Sequence, residues 1–414
     1  MLYAIPTVLR TLIATFIWSK SIDNTAAPLR FHLRHEHAVS NDSRIVFSNI
    51  VPSFFEESYQ ISTTKVKAHR PTSFTAFSNA RTRSLRQAQT MPLHWADVEV
   101  PGPDVQKREN LQLLAKMTYN SYFAPGDKEW YELGPGWNSS YPFGWEPDAD
   151  GFRGHIFVSE DNSTVVISIK GTSAGWVAGG SSATTKKDKI NDNLLFSCCC
   201  ARVGPTWSPV CDCYSGGYRC DQTCVERSLI EESLFYPIGT NLYNNITYMY
   251  PDANIWVTGH SLGGALASLV GVTFGAPVVA FEAPGEKMAA KRLHLPSPPS
   301  AQHITHIYHT ADPVAMGTCT GITSSCAIGG YAMESRCHLG KSILYDTVGK
   351  LDWSVDIRTH PIKVVIEKIL NEDWDPENGV EVPAAEEEKD CVDCFNWEYG
   401  DYKNLTRHKF PHWA

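Results

Sequence analysis

The sequence predicts an α/β fold: a mostly parallel sheet with helices on both faces and a cysteine-rich insertion. Three observations predict it. Short β-branched runs alternate with segments of helical period through residues 108 to 370. One run, Val165-Val166-Ile167-Ser168-Ile169, is nearly all apolar, as a central strand covered on both faces should be. Another, Ile255 to Thr258, leads through Gly259-His260-Ser261-Leu262-Gly263 into a small-residue helix, giving strand, sharp turn and helix. With 414 residues, 43% of them apolar, the chain can hold one large domain plus extensions, or two small domains.

The N-terminus carries an apolar run, Thr11 to Trp18, with Arg10 before it and Lys20 after. Eight residues suit a signal-peptide core and are too short to span a bilayer. Counting from Leu2 lengthens the run, but Arg10 would then sit near mid-membrane at a cost of about 2.5–3.5 kcal/mol. Residues 1–19 are therefore read as a signal peptide or a signal-anchor. Residues 20–103 are rich in Ser, Thr, Arg and His without sustained period, and are expected to be irregular, ending at the linker Pro101-Gly102-Pro103. His32, His35 and His37 are read there as solvated rather than as metal ligands.

The folded domain is expected over 104–375. Leu111, Leu114, Met117 and Tyr122 recur at helical spacing, so 108–123 is a helix with one buried face. Gly154 to Val158 and Thr164 to Ile169 are strands around Glu160-Asp161-Asn162. Residues 174–224 form a long insertion, read as a movable apolar flap near Trp176 on a disulfide-stapled base. Residues 225–249 read as helix, kinked or split at Pro237 and Gly239, with Leu229, Ile230, Leu242 and Ile246 inward. Val278 to Phe281 and Ile304 to His309 are further strands, and Ile362 to Leu370 a late helix.

The net charge of −9 is uneven. Residues 371–401 hold twelve acids and one lysine, so the remainder is slightly basic, and 376–414 is read as an acidic tail. No basic stripe, zinc-finger spacing or RNA-binding signature points to nucleic acid. Of twelve cysteines, seven lie within 198–224. An even, clustered set suits disulfides in an oxidising lumen. The competing reading is zinc at Cys220-x3-Cys224 and Cys391-x2-Cys394. Five glycosylation sequons, at Asn41, Asn138, Asn162, Asn245 and Asn404, favour the lumen.

The chemistry centres on Ser261. A serine on a tight strand-to-helix turn is held in strained backbone with its hydroxyl presented, and the following helix N-terminus offers N–H groups to an oxyanion. Leu262 N–H is one expected oxyanion donor. Thr172, just past the central strand in Lys170-Gly171-Thr172-Ser173, is the other. A serine hydroxyl needs a base, and the base an acid to fix its tautomer. In the α/β-hydrolase fold the chain order is Ser, Asp or Glu, His. Asp312, turned by Pro313 after a strand, is the candidate acid, ahead of Asp346, Asp352 and Asp356. His360, in a late loop, is the candidate base, with His338 the rival; His306 and His309 precede the acid. His260 reads as a packing residue. Such a relay needs no metal or cofactor, and none is expected.

These residues carry a resemblance. Gly259 to Ala267, Lys170-Gly171-Thr172 and Asp312-Pro313-Val314 resemble the class 3 lipases. Leu33-Arg34-His35, Asn193 to Cys200, Phe281-Glu282-Ala283-Pro284-Gly285 and Cys337 to Ser342 are similar to a branch of that family, the fungal autophagy-related vacuolar phospholipases. The resemblance implies Ser261, Asp312 and His360 as the triad and membrane phospholipid as substrate. It also implies a single-pass protein with a lumenal catalytic part, travelling through Golgi and multivesicular bodies to disintegrate vesicles in the vacuole. A Trp-, Val- and Gly-rich flap independently suits a lipid surface. Alternatives are a secreted carboxylesterase on soluble esters and a non-catalytic membrane-binding module. No feature points to a particular protein partner.

Overall fold

Every residue from Thr164 to Ile169 is buried, and the strand deals its side chains alternately to two cores. Val165, Ile167 and Ile169 pack on one face; Val166 packs on the other. In the computed structural model, residues 28–39, 44–49, 59–87, 92–123, 127–131, 151–172, 183–202 and 209–402 are described. The N-terminal apolar run, the flap around Trp176, and Asn41, Asn138 and Asn404 lie outside them. Among the described residues no helix is long and apolar enough to cross a membrane.

The strands, in chain order, are β1 Leu29–Val39, β2 Ile45–Asn49, β3 Tyr59–Ile61, β4 Thr63–Pro71, β5 Trp95–Pro103, β6 Gly154–Ser159, β7 Thr164–Ile169, β8 Arg219–Asp221, β9 Asn254–His260, β10 Val278–Phe281, β11 Ile304–His309, β12 Lys341–Tyr345, β13 Ala385–Glu387 and β14 Glu398–Gly400. The main sheet runs β13-β12-β11-β10-β9-β7-β6-β1-β2, with β3 also on β1. Its centre, β7, β9, β10, β11 and β12 in that order, is parallel. Antiparallel strands extend both ends. Two small pairs, β4-β5 and β8-β14, stand apart.

The helices are α1 Phe74–Gln87, α2 Arg108–Asn120, α3 Ala183–Phe196, α4 Gln222–Glu232, α5 Phe235–Met249, α6 Leu262–Phe274, α7 Lys287–Arg292, α8 Ser325–Gly329, α9 Thr347–Leu351 and α10 Ile362–Val364. On one face α5 and α6 pack through Leu242, Ile246, Leu266 and Val270. On the other lie Leu111 and Leu114 of α2, with Ile362 and Val365. Helices thus cover both faces of a parallel centre, the α/β-hydrolase arrangement. Helix α6 is buried from Leu262 to Thr273, which its small, uncharged sequence permits.

Several expectations need correction. The described residues between 28 and 103 are not irregular: they hold β1 to β5 and α1. In β1, Phe31 and Leu33 alternate into the core against β6, and Glu36 and His37 are buried too, so that histidine cluster is not simply solvated. The 225–249 helix is two helices breaking at Ser233; Pro237 lies in the first turn of α5, where a missing N–H costs no bond. The late helix passes from α10 into a π turn, Val365–Ile369. The insertion contains α3, a helix whose second half, Asn191 to Phe196, is buried. The acidic tail is bonded in: β13 pairs with β12, and Glu388 meets His338 at 2.6 Å.

All twelve cysteines are paired, as Cys198–Cys394, Cys199–Cys220, Cys200–Cys211, Cys213–Cys224, Cys319–Cys326 and Cys337–Cys391. This overturns the zinc alternative, because Cys220 and Cys224 bond to different partners, as do Cys391 and Cys394. The insertion is stapled within itself by three bonds and to the C-terminal segment by the fourth.

Candidate active site

β9 ends at His260 and α6 begins at Leu262, leaving Ser261 alone to reverse the chain. Its backbone is strained, with φ 56° and ψ −128°. The glycines around it are required by space. A Cβ on Gly259 would lie 2.3 Å from the Gly263 carbonyl oxygen, and one on Gly263 2.3 Å from that of Ile169. Ser261 N–H donates to the Phe281 carbonyl at 3.0 Å, tying the turn to β10.

Asp312 follows β11, and its Oδ1 accepts from the Val314 N–H at 2.8 Å. His360 follows a 3₁₀ turn, Ile357–Thr359, that is lashed to the Asp312 loop: Thr359 Oγ1 donates to the Ala311 carbonyl at 2.9 Å, and Asp356 N–H bonds to the same carbonyl. The structure brings these three residues together across 99 residues of sequence. His360 Nε2 lies 2.9 Å from Ser261 Oγ, and His360 Nδ1 lies 2.7 Å from Asp312 Oδ2. Nδ1–H donates to the carboxylate, so Nε2 is free to accept from the hydroxyl. Burial alone would raise Asp312, but the His360 imidazole and the neighbouring Glu282 hold it well below the usual carboxylate range.

The rivals are elsewhere. His338 bonds to Glu388 and to the Ala283 carbonyl. His306 faces Glu286, and His309 bonds to Thr347 and the Thr359 carbonyl. Asp346 caps α9, and Asp356 pairs with Arg358.

A cavity of about 30 Å³ is lined by Tyr122, Thr172, Asp192, Tyr331 and Met333, among others, together with Ser261 and His360. Thr172 Oγ1 donates to Asp192 Oδ2 at 2.6 Å. Burial pushes Asp192 well above the usual carboxylate range. Leu262 opens α6, so its N–H is one of the first-turn groups without an intrahelical acceptor. Asn162 is exposed at the β6–β7 turn and Asn245 half-buried on α5.

Three contributors were not read from the sequence. His260 is a bridge: its Nε2–H donates to the His360 carbonyl at 2.9 Å, and its Nδ1 accepts from the Tyr122 hydroxyl at 2.6 Å. Burial, with the neighbouring His360, pushes it down to about 3, so it stays neutral. Glu282 is fully buried beside Asp312. Asp192 sits on a helix inside the insertion. None of these lies in a local motif with its partner; only the Phe281 to Gly285 resemblance touched Glu282.

A model of the class 3 lipase family matches residues 226–319. The chain is 51% identical over 368 residues to a protein named putative lipase ATG15 in Cryptococcus neoformans, covering 74% of this chain and 70% of that one. It is 45% identical over 391 residues to the like-named protein of Mycosarcoma maydis, covering 81% and 74%. A triacylglycerol lipase from Penicillium expansum is similar at 15% identity and a TM-score of 0.28, over 56% of this chain and 77% of that one, a likeness too slight to bear on the site. With half its residues shared over most of its length, the chain belongs to the ATG15 lipases of the class 3 lipase family, and is a carboxylic ester hydrolase.

Proposed function

We propose that this chain hydrolyses acyl esters of membrane phospholipids, with Ser261 as nucleophile, His360 as general base and acid, and Asp312 as the group that fixes the imidazole. The observation that carries the reading is the unbroken relay of 2.9 and 2.7 Å contacts from Ser261 through His360 to Asp312. Ser261 Oγ attacks the ester carbonyl carbon while its proton passes to His360 Nε2. The oxyanion is received by the N–H groups of Leu262 and Thr172, the Thr172 hydroxyl being held by Asp192. His360 returns the proton to the departing alkoxide, releasing the alcohol. A water, deprotonated by the same nitrogen, then frees the fatty acid and restores Ser261.

The paired cysteines support an oxidising lumen, and the sequons a glycosylated chain. With the relatives' names, this supports vesicle breakdown in the vacuole lumen after transit through the endomembrane system, the N-terminal run serving as leader or anchor. The test is incubation of the purified chain with mixed phospholipid and triacylglycerol liposomes, and with soluble short-chain esters, followed by mass analysis of products. Free fatty acid and lysolipid are expected, and Ser261→Ala should lower turnover by at least about 10⁴-fold. Hydrolysis that survives Ser261→Ala removes the nucleophile assignment. Turnover confined to soluble esters removes the lipid one.

A further inference from the structure

From Val314 to Met333 the chain carries no charged residue. This stretch begins two residues after Asp312, and Val314, Cys326, Tyr331 and Met333 within it line the cavity that holds Ser261. Its middle is a fixed loop. Cys319 is bonded to Cys326, and Ser324 Oγ caps α8 by accepting from the Ala327 N–H at 3.1 Å. Asn193 of α3 clasps both sides of the loop's end, donating to the Gly330 carbonyl and accepting from the Ala332 N–H. On this scaffold Ile322 and Ile328 are 65% and 79% exposed. The other exposed residues are Gly321, Thr318, Thr320, Thr323 and Ser325.

A loop with two projecting β-branched side chains and no charge can enter an acyl layer without stripping water from an ion. The cations stand just behind it. Lys189 donates to the Gly329 carbonyl at 2.9 Å, at the loop's base, and Lys186 is exposed one turn back on α3. That order, apolar tip and then cationic collar, matches the depth profile of an anionic phospholipid surface. It does not match a protein partner, whose interface centre would draw on aromatic and Arg anchors.

Resting on the ester-hydrolase reading above, we infer that the Cys319–Cys326 loop is a fixed membrane-docking wedge. Ile322 and Ile328 enter the acyl boundary of an anionic bilayer while Lys186 meets its phosphates, so that the Ser261 cavity opens onto the lipid.

The test uses the full chain carrying Ser261→Ala, so that vesicles stay intact, and Ile328→Cys labelled with nitrobenzoxadiazole. The new thiol stands alone because the native cysteines are all paired. Phosphatidylcholine vesicles containing phosphatidylserine should shift the emission to the blue and raise it severalfold, neutral vesicles less, while a label at Tyr248→Cys, an 84% exposed site, stays unchanged. Emission at 328 that ignores vesicles, or that shifts with protein concentration alone, overturns the inference; the second outcome would mean that another copy covers the loop. In the active protein, Ile322→Asp with Ile328→Asp should lower hydrolysis of vesicle lipid at least about tenfold and leave soluble short-chain ester turnover within about twofold. Equal losses on both substrates, or none on vesicles, also overturn it. If the wild-type chain cleaves no ester, the hydrolase reading fails by itself, and the label still reports docking.

Discussion

Ser261 is held where a residue with a Cβ is strained, and that strain is available to experiment. Both Ser261→Ala and Ser261→Gly remove the hydroxyl, but only glycine is at ease at φ 56°. Ser261→Gly is therefore expected to be more stable than Ser261→Ala by about 1 kcal/mol, measured by denaturant unfolding. Equal stabilities would mean that the turn relaxes. Glu282 is the second residue whose chemistry is set by position. Burial and the adjacent Asp312 charge push its carboxyl well above the usual range, which favours a neutral carboxyl able to donate toward Asp312. Glu282→Gln keeps a donor and should retain most turnover. Glu282→Leu removes it, leaves Asp312 less well solvated, and makes the Asp312–His360 pair hold its proton more tightly. The acid limb of the kcat/KM profile should then move to higher pH, with kcat down roughly tenfold or more from the loss of a charge-assisted bond. A Leu variant with an unshifted profile would reduce Glu282 to packing.

Among the elements, what was legible had local cause. The β7 run, the Ser261 turn and the α2 face each declare themselves within a dozen residues through period, glycine placement and apolar content. Ser261, Asp312 and His360 followed from turn chemistry and chain order, and the structure draws them together. What was illegible depended on distant partners. β1 looks polar because His and Arg fill nearly half of its positions, and its strand form depends on β2, β3 and β6 pairing with it. β13 is one alanine and two glutamates that gain strand form from β12. Helix α3 hides in an insertion whose stability comes from cross-links. The last of these makes a test: Cys198–Cys394 closes a separation of 196 residues and ties the end of α3 to the C-terminal segment. Replacing both by Ser should lower stability by roughly 2–5 kcal/mol, read from the thermal midpoint, while the remaining five bonds keep the insertion's base assembled. A change below about 0.5 kcal/mol would show the C-terminal strap to be carried by β13, β14 and Glu388 instead.

Over the whole molecule, buried titratable groups of opposite habit set the response to acid. Burial, first among the causes, pushes His37 and His260 down to about 3 and His155 and His303 down to about 4. These histidines stay neutral in the fold, so the stability they contribute is present above the unfolded value near 6.5 and is lost as pH falls toward 3–4. Buried carboxyls oppose them, three most strongly. Burial raises Glu36 to about 7 and Asp192 and Glu282 well above their ordinary values. Their contribution is full below the unfolded carboxyl range and is lost as pH rises through the folded value. Between about pH 4.5 and 6.5 the unfolded chain gains histidine protons while the folded chain already holds carboxyl protons, so the two sets largely cancel and stability falls only gently on acidification. Glu36 is where the balance can be tipped, since it is 1% exposed, has no hydrogen-bond partner on either oxygen among the described residues, and lies outside the site. Glu36→Gln keeps the shape and removes one compensating proton. The variant should therefore lose stability about 1.4 kcal/mol per pH unit faster than wild type as pH drops from 6.5 to 5, one proton's worth of slope. Well above pH 7, once Glu36 has lost that proton, the two curves should run parallel. Denaturant titrations at four or so pH values, analysed with a common m-value, measure it directly. Parallel curves over the whole range would mean that Glu36 is charged in the fold, and that the acid tolerance of this chain is built somewhere else.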